Sequence, residues 1–397
     1  MLALRRARMG VAPPFLRGGF RPFFFGGAVW AVVALVLWLL ALGGHLVIPS
    51  AFDPLAWHRH EMLFGFVGAV IAGFLLTAIP NWTGRLPIAG ASLAGLFALW
   101  LVARLAVLCS AAIGALGAAV LDVGFYLVLA GVAAREVLAA NSRNVPVVGL
   151  IFLFGMADAL DYFGAAGVIA DPAIPWKLAV GLVTILISLI GGRIVPSFTR
   201  NWLAKQGVRE GLPSQPTRFD VAVIGATALA ILAWITAPAG WLTGGLFAVA
   251  AAGQLVRLGR WKGWKAARDP LVLILHIGYA WVPIGLALLS AVQLGARIAE
   301  SAAIHALTAG AMATMILAVM SRAILGHTGR ELRASTATTV SYALVTIGAI
   351  LRVGSPLGSI DYRVGMEAAG LAWIGAFVVF LAAYSPMLFR KRVDEAR

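Results

Sequence analysis

The sequence is built from apolar runs about as long as a bilayer is thick. A helix rising about 1.5 Å per residue needs about 20 largely apolar residues to cross the hydrocarbon core. Windows of that size occur twelve times, over 23–43, 60–80, 88–109, 113–137, 146–166, 175–196, 219–237, 241–257, 270–291, 299–325, 335–353 and 364–386. The pattern predicts an all-α polytopic membrane protein with one transmembrane domain over residues 1–397, including a leading segment 1–22 and a tail 387–397. Composition points the same way: 61% of the residues are apolar and 12% charged, about half the charge fraction of a soluble chain. A soluble enzyme, a disulfide-stapled secreted scaffold and a disordered chain are excluded. The longest hydrophilic stretch, near 198–218, is too short for a soluble domain, and the Ala-Pro-Ala-Gly turn after residue 236 makes a tight hairpin of its two neighbouring spans. The single cysteine, Cys109, lies in an apolar run, which leaves no CxxC motif. The basic start leads straight into a full-length span without a small-residue cleavage site, so no cleavable signal peptide is expected.

A net charge of +15 invites a nucleic-acid reading only if the cations form a solvated face. They fall instead in the short gaps between spans. With the N-terminus inside, one side collects Arg5, Arg6, Arg8, Arg17, Arg21, Arg85, Arg135, Arg143 and the cations of 200–218. It also collects Arg257, Arg260, Lys262, Lys265, Arg268, Arg330, Arg333 and the basic tail, against little more than Lys177, Arg297, Arg352 and Arg363 opposite. This bias predicts twelve spans with both termini cytoplasmic and no nucleic-acid partner.

Three even-numbered spans end alike. HEMLFGFVGAVIAGFLLTAIPNWTGR from His60 and HALTAGAMATMILAVMSRAILGHTGR from His305 agree at eight of 26 positions without a gap. GGRIVPSFTRNW aligns Pro196 with Pro80, Thr199 with Thr83 and Thr328, and Arg193 with Arg322. The spacing suggests three four-helix pseudo-repeats.

Ionisable side chains within the spans are costly and carry functional hypotheses. His58 and Glu61 share a helical face at the start of the second span, with His60 off that face, and His305 lies early in the tenth. His58, His60 and His305, with Glu61 as ligand or orienting carboxylate, are candidates for a transition-metal site or haem axial ligation. Interfacial packing and helix capping are the plainer alternative. His276 and His327 form a separate group: a helix from His305 to His327 is about 33 Å long, so one ion does not touch both. His327 also reads as a helix-ending histidine, and His45 as solvated. Arg104, Asp122, Asp158 and Asp161 read as a buried ion-pair network, with Arg104 neutralising Asp158 or Asp161, before a proton path. Arg193 and Arg322 are candidates for clamping an anionic group such as a haem propionate, or for reaching lipid headgroups. Met312 and Met315 read as core before Cu(I) ligands. The tryptophans at span ends form an aromatic belt. No phosphate loop, dinucleotide fingerprint, zinc-protease motif or nucleophile elbow is present.

Four stretches together carry a resemblance: Gly19-Phe20-Arg21-Pro22-Phe23-Phe24, Trp57 to Arg85, Gly191 to Trp202, and His305 to Arg330. In order and at long intervals, they resemble the NnrS family of bacterial inner-membrane proteins. The resemblance implies a twelve-span protein containing haem and copper, linked to the response to nitric oxide. It makes His58, His60, His305 and His327 the leading ligand candidates, with His276 behind them, and nitric oxide the expected small-molecule ligand. The sequence identifies no electron-donor partner and does not decide whether the protein is an enzyme. A twelve-span secondary transporter is the rival, for which six-helix repeats and broken helices are expected; a metal-free membrane sensor is a third reading.

Overall fold

A computed structural model describes residues 11–237, 239–358 and 361–395. Arg5, Arg6, Arg8 and the last residues of the tail lie outside the described residues. Twelve helices long and apolar enough to cross a membrane are present among those described. They are α1 (Phe20–Leu42), α2 (Pro54–Thr83), α3 (Ala91–Leu108), α4 (Ala115–Ala139), α5 (Val145–Ala165), α6 (Ala173–Lys205), α7 (Arg218–Thr236), α8 (Trp241–Arg260), α9 (Pro270–Gln293), α10 (Glu300–His327), α11 (Thr336–Gly354) and α12 (Tyr362–Phe389). The chain is thus a multi-span helical membrane protein, as the apolar runs predict.

Helix starts follow local chemistry. Asp53 accepts from the Leu55 and Ala56 amides ahead of Pro54, an N-cap followed by a proline that lacks the donor a first turn leaves idle. The cap starts α2 two turns before the apolar window, so His58 and His60 are helical. Asp269 and Pro270 open α9 in the same way, Thr217 and Asp220 form a capping box on α7, and Ser335 caps α11. α6 continues to Lys205, which shortens the hydrophilic stretch expected over 198–218 to one beginning at Gln206.

Three helices are interrupted by π-helical segments: Glu61–Val67 in α2, Ile187–Gly191 in α6 and Ala306–Met312 in α10. The first and third fall at the same register when His60 and His305 are aligned; the one in α6 lies further along.

The described residues divide into two compact units, one from 11–179, 323–331 and 380–395, the other from 180–322 and 332–379. In the first, α1 packs on α2, α3 on α4 and α4 on α5; in the second, α8 packs on α7 and α9, and α10 on α9 and α11. Lipid tails are as apolar as leucine, so close packing and polar contacts hold such helices together more than the hydrophobic effect does. The α1–α2 seam shows this: Ala28, Ala31, Ala69 and Ala72 are fully buried, and a Cβ on Gly73 would lie 2.7 Å from the Phe24 ring. Large apolar side chains such as Val36, Leu40, Leu101 and Leu105 stay exposed, as a lipid-facing surface requires.

Candidate metal centre

The first unit encloses a polar cluster contributed by five helices. α2 supplies His60 and Glu61, α3 Arg104, α4 Asp122 and Tyr126, α5 Asp158, Asp161 and Tyr162, and α1 Trp30. His60, Glu61, Arg104, Asp122 and Asp158 are fully buried, and Asp161 nearly so. His60 is held through both ring nitrogens: Nε2 lies 2.8 Å from Asp122 Oδ2 and Nδ1 lies 2.9 Å from Asp161 Oδ2. Asp158 Oδ1 is 3.6 Å from the same Nε2. Arg104 donates through Nη1 to Glu61 Oε2 at 3.0 Å and through Nη2 to Asp122 Oδ1. Trp30 Nε1 donates to Glu61 Oε2 at 2.5 Å, and the Tyr162 hydroxyl donates to Asp122 Oδ2 at 3.2 Å.

The π segment shapes this cluster. A wider turn leaves carbonyls without their i+4 donors, and hydrocarbon offers no water to replace them. Tyr126 donates its hydroxyl to the Phe64 carbonyl at 2.5 Å, and Trp100 Nε1 reaches the Gly65 carbonyl at 3.1 Å. With those bonds made elsewhere, adjacent residues His60 and Glu61 approach the Arg104–Asp122 pair from two sides.

One carboxylate stands apart. Both oxygens of Asp158 are buried without a hydrogen-bond partner, an arrangement that costs several kcal/mol for a charged group unless a cation or proton supplies the partner. Ligand atoms of His60, Asp122 and Asp158 lie within 4.8 Å of one another. Four carboxylates face one guanidinium and one imidazole, so the cluster is short of positive charge. An imidazole with two carboxylates is a donor set for a divalent ion.

The expectation that Arg104 neutralises Asp158 or Asp161 is corrected: its partners are Glu61 and Asp122, while His60 takes Asp161. Of the expected ligands, His58 stacks on Trp38, with centroids 4.6 Å apart, and is half-buried. His327 lies beside Phe20 in the first unit, at 5.4 Å, and is exposed. His45 is exposed, as a solvated loop residue should be. His276, His305, Arg193 and Arg322 belong to the second unit. His305 directs Nδ1 to the Ser301 carbonyl at 2.7 Å. His276 is buried beside Trp261, with Nε2 2.8 Å from Thr199 Oγ1. Arg322 lies over the Phe198 ring at 4.0 Å, and Arg193 is exposed.

The second unit holds a polar network that sequence reasoning missed. Arg257, expected in the cytoplasmic basic cluster after the eighth span, is 1% exposed. It lies within the last turn of α8 and reaches Asp220, Ser188, Gln254 and Tyr279 at 2.7–3.0 Å. Its Nη2 donates to the Ser188 carbonyl in the α6 π segment at 3.1 Å. An arginine near a span end looks the same in sequence whether it turns to headgroups or to a π turn. Trp30, Tyr126 and Tyr162 were missed for the same reason, since aromatic residues in spans usually pack.

The sequence model of one family, described as NnrS protein, matches residues 14–392. None of the curated proteins matches the chain.

Proposed function

The chain belongs to the NnrS family, and on that premise we propose that it binds haem and copper in the bacterial inner membrane, both termini cytoplasmic, and handles nitric oxide at an embedded metal site as part of the nitric oxide response. One observation carries the reading. His60 and His305 occupy equivalent positions, each immediately ahead of a π segment, and each anchors Nδ1 on an oxygen, of Asp161 or of the Ser301 carbonyl. An anchored Nδ1 fixes the direction of the ring, the usual arrangement of histidines that bind metal through Nε2. π turns recur at functional sites for the same reason, because they re-aim side chains.

The donor chemistry fits the two groups in different places. His60 Nε2 faces carboxylates at 2.8 and 3.6 Å, which suits a bare ion and leaves no room there for a porphyrin. His305, held by the Ser301 carbonyl, or His276, held by the Thr199 hydroxyl, would hold haem iron. Arg322 lies 17 residues, about 25 Å of helix, beyond His305, so Arg193 and Arg322 would meet the propionates of a haem held at His276. Ferrous haem or copper, when bound, would supply the affinity for nitric oxide, a small apolar molecule that concentrates in lipid. The protein's own residues orient the imidazoles, exclude water and balance the charge.

The test is an absorption spectrum of purified protein, oxidised and reduced, with and without nitric oxide, together with elemental analysis. It is repeated on His58→Ala, His60→Ala, His276→Ala, His305→Ala and His327→Ala. Loss of the haem band is expected in at least one variant, His305→Ala foremost. A colourless, metal-free preparation, or spectra unchanged across all five, removes the reading.

A further inference from the structure

Resting on the bare-ion half of that reading and not on its haem half, we propose that the ligands are His60 Nε2, Asp122 and Asp158 and that they take a divalent first-row transition ion, with Asp161 and Arg104 as positioning residues. Five observations converge on it. The three ligand groups are fully buried and lie within 4.8 Å of one another, close enough to contract onto an ion with bonds of about 2.0–2.2 Å. Asp158, whose Oδ1 is 3.6 Å from His60 Nε2, has both oxygens buried and unpartnered, so it is aimed at the site with nothing else to bind. Arg104 takes Asp122 through Oδ1, which leaves Oδ2 turned toward the imidazole. Asp161 holds Nδ1, completing the carboxylate–histidine pair that raises a ligand's basicity and fixes its direction. Finally, four carboxylates against Arg104 and His60 leave an excess of negative charge that a divalent cation offsets inside an apolar bundle.

Binding is an exchange. Without the ion, His60 meets Asp122 through Nε2 at 2.8 Å and Asp161 through Nδ1 at 2.9 Å. As the ion takes the Nε2 lone pair, bonds of Nε2 and Asp122 to the ion replace the contact between them, any proton on Nε2 leaves to solvent, and Nδ1 keeps its contact with Asp161. One imidazole and two carboxylates match Mn(II), Fe(II), Zn(II) or Cu(II), whereas Cu(I) prefers sulfur ligands that this cluster lacks. The site does not depend on the presence of haem elsewhere in the chain.

The experiment strips the full-length protein with a chelator and titrates Mn(II) alone, following the free six-line electron paramagnetic resonance signal, with Zn(II) as competitor. Wild-type protein is expected to hold one equivalent that Zn(II) displaces. Asp158→Asn should lose that equivalent, and Asp161→Asn should keep the stoichiometry but weaken binding by about 10–100-fold. Both should retain whatever haem band the wild type shows and remain monodisperse. Should Asp158→Asn fail to fold, Asp161→Asn decides alone. No binding by wild type, or affinity unchanged in the folded variants, overturns the proposal. A missing haem band with Mn(II) binding intact counts against the haem reading only.

Discussion

Arg104 donates to Glu61 on α2 and to Asp122 on α4, so one guanidinium offsets carboxylates on two different helices. Removing one partner of a buried ion pair costs about 3–5 kcal/mol, because the other charge is left stranded. Arg104→Ala should therefore collapse the yield of monodisperse protein or lower its melting temperature in detergent sharply. Arg104→Lys should rescue little, since an ammonium does not span two carboxylates as a planar fork does. An Arg104→Ala protein that melts like wild type would show that the network carries no load. Arg257→Ala should fail similarly in the second unit, where the guanidinium joins Asp220, Ser188, Gln254 and Tyr279. The ionisable residues of the first cluster were legible as anomalies, because charge inside an apolar run is rare. Their pairing was not, because partners such as His60 and Asp122, or Arg104 and Glu61, sit on different helices. Arg257 gave no signal, being near a span end where arginine is ordinary.

The π segments are the elements on which both polar networks hang. In α2 the carbonyls of Phe64 and Gly65 take the Tyr126 hydroxyl and the Trp100 indole; in α6 the Ser188 carbonyl takes Arg257. Tyr126→Phe should cost about 1–3 kcal/mol, the desolvation penalty of an acceptor left unpaired, read as a drop in thermal midpoint. Gly65 is fixed by space: a Cβ there would sit 2.7 Å from Trp30 Nε1 and meet Glu61 as well. Gly65→Ala should lose about 1–3 kcal/mol through overpacking and disturb any ion held at His60. Gly124, on α4 with nothing within 4 Å of its added Cβ, is the control: Gly124→Ala should be neutral or slightly stabilising, by up to about 1 kcal/mol from helix propensity. Equal losses in both would mean that the tight contact at Gly65 is not what limits it. Sequence reading reached the registers of α2 and α10 through their shared ending, yet gave no hint of a π turn in either. A π turn is set by what competes for one carbonyl, and an apolar pattern does not encode that.

An even number of spans makes a topological claim about the whole molecule. With twelve helices, reporters fused at the N- and C-termini should report the same side, and under the proposed orientation, which follows the arginine bias over the loops, that side is the cytoplasm. Reporters on opposite sides would mean that one of the twelve helices does not cross. The number of spans, their order, their apolar character and the family were all legible in the chain, because bilayer thickness turns membership of a span into a one-dimensional property of about 20 neighbouring residues. Which faces meet is not one-dimensional. Tertiary packing alone decided that His60 meets Asp122, Asp158 and Asp161 and that Arg257 turns inward. It also leaves His58 on Trp38. In hydrocarbon a charged side chain must find its counterpart on another helix, and that encounter depends on helix rotation and close packing, which no run of apolar letters records.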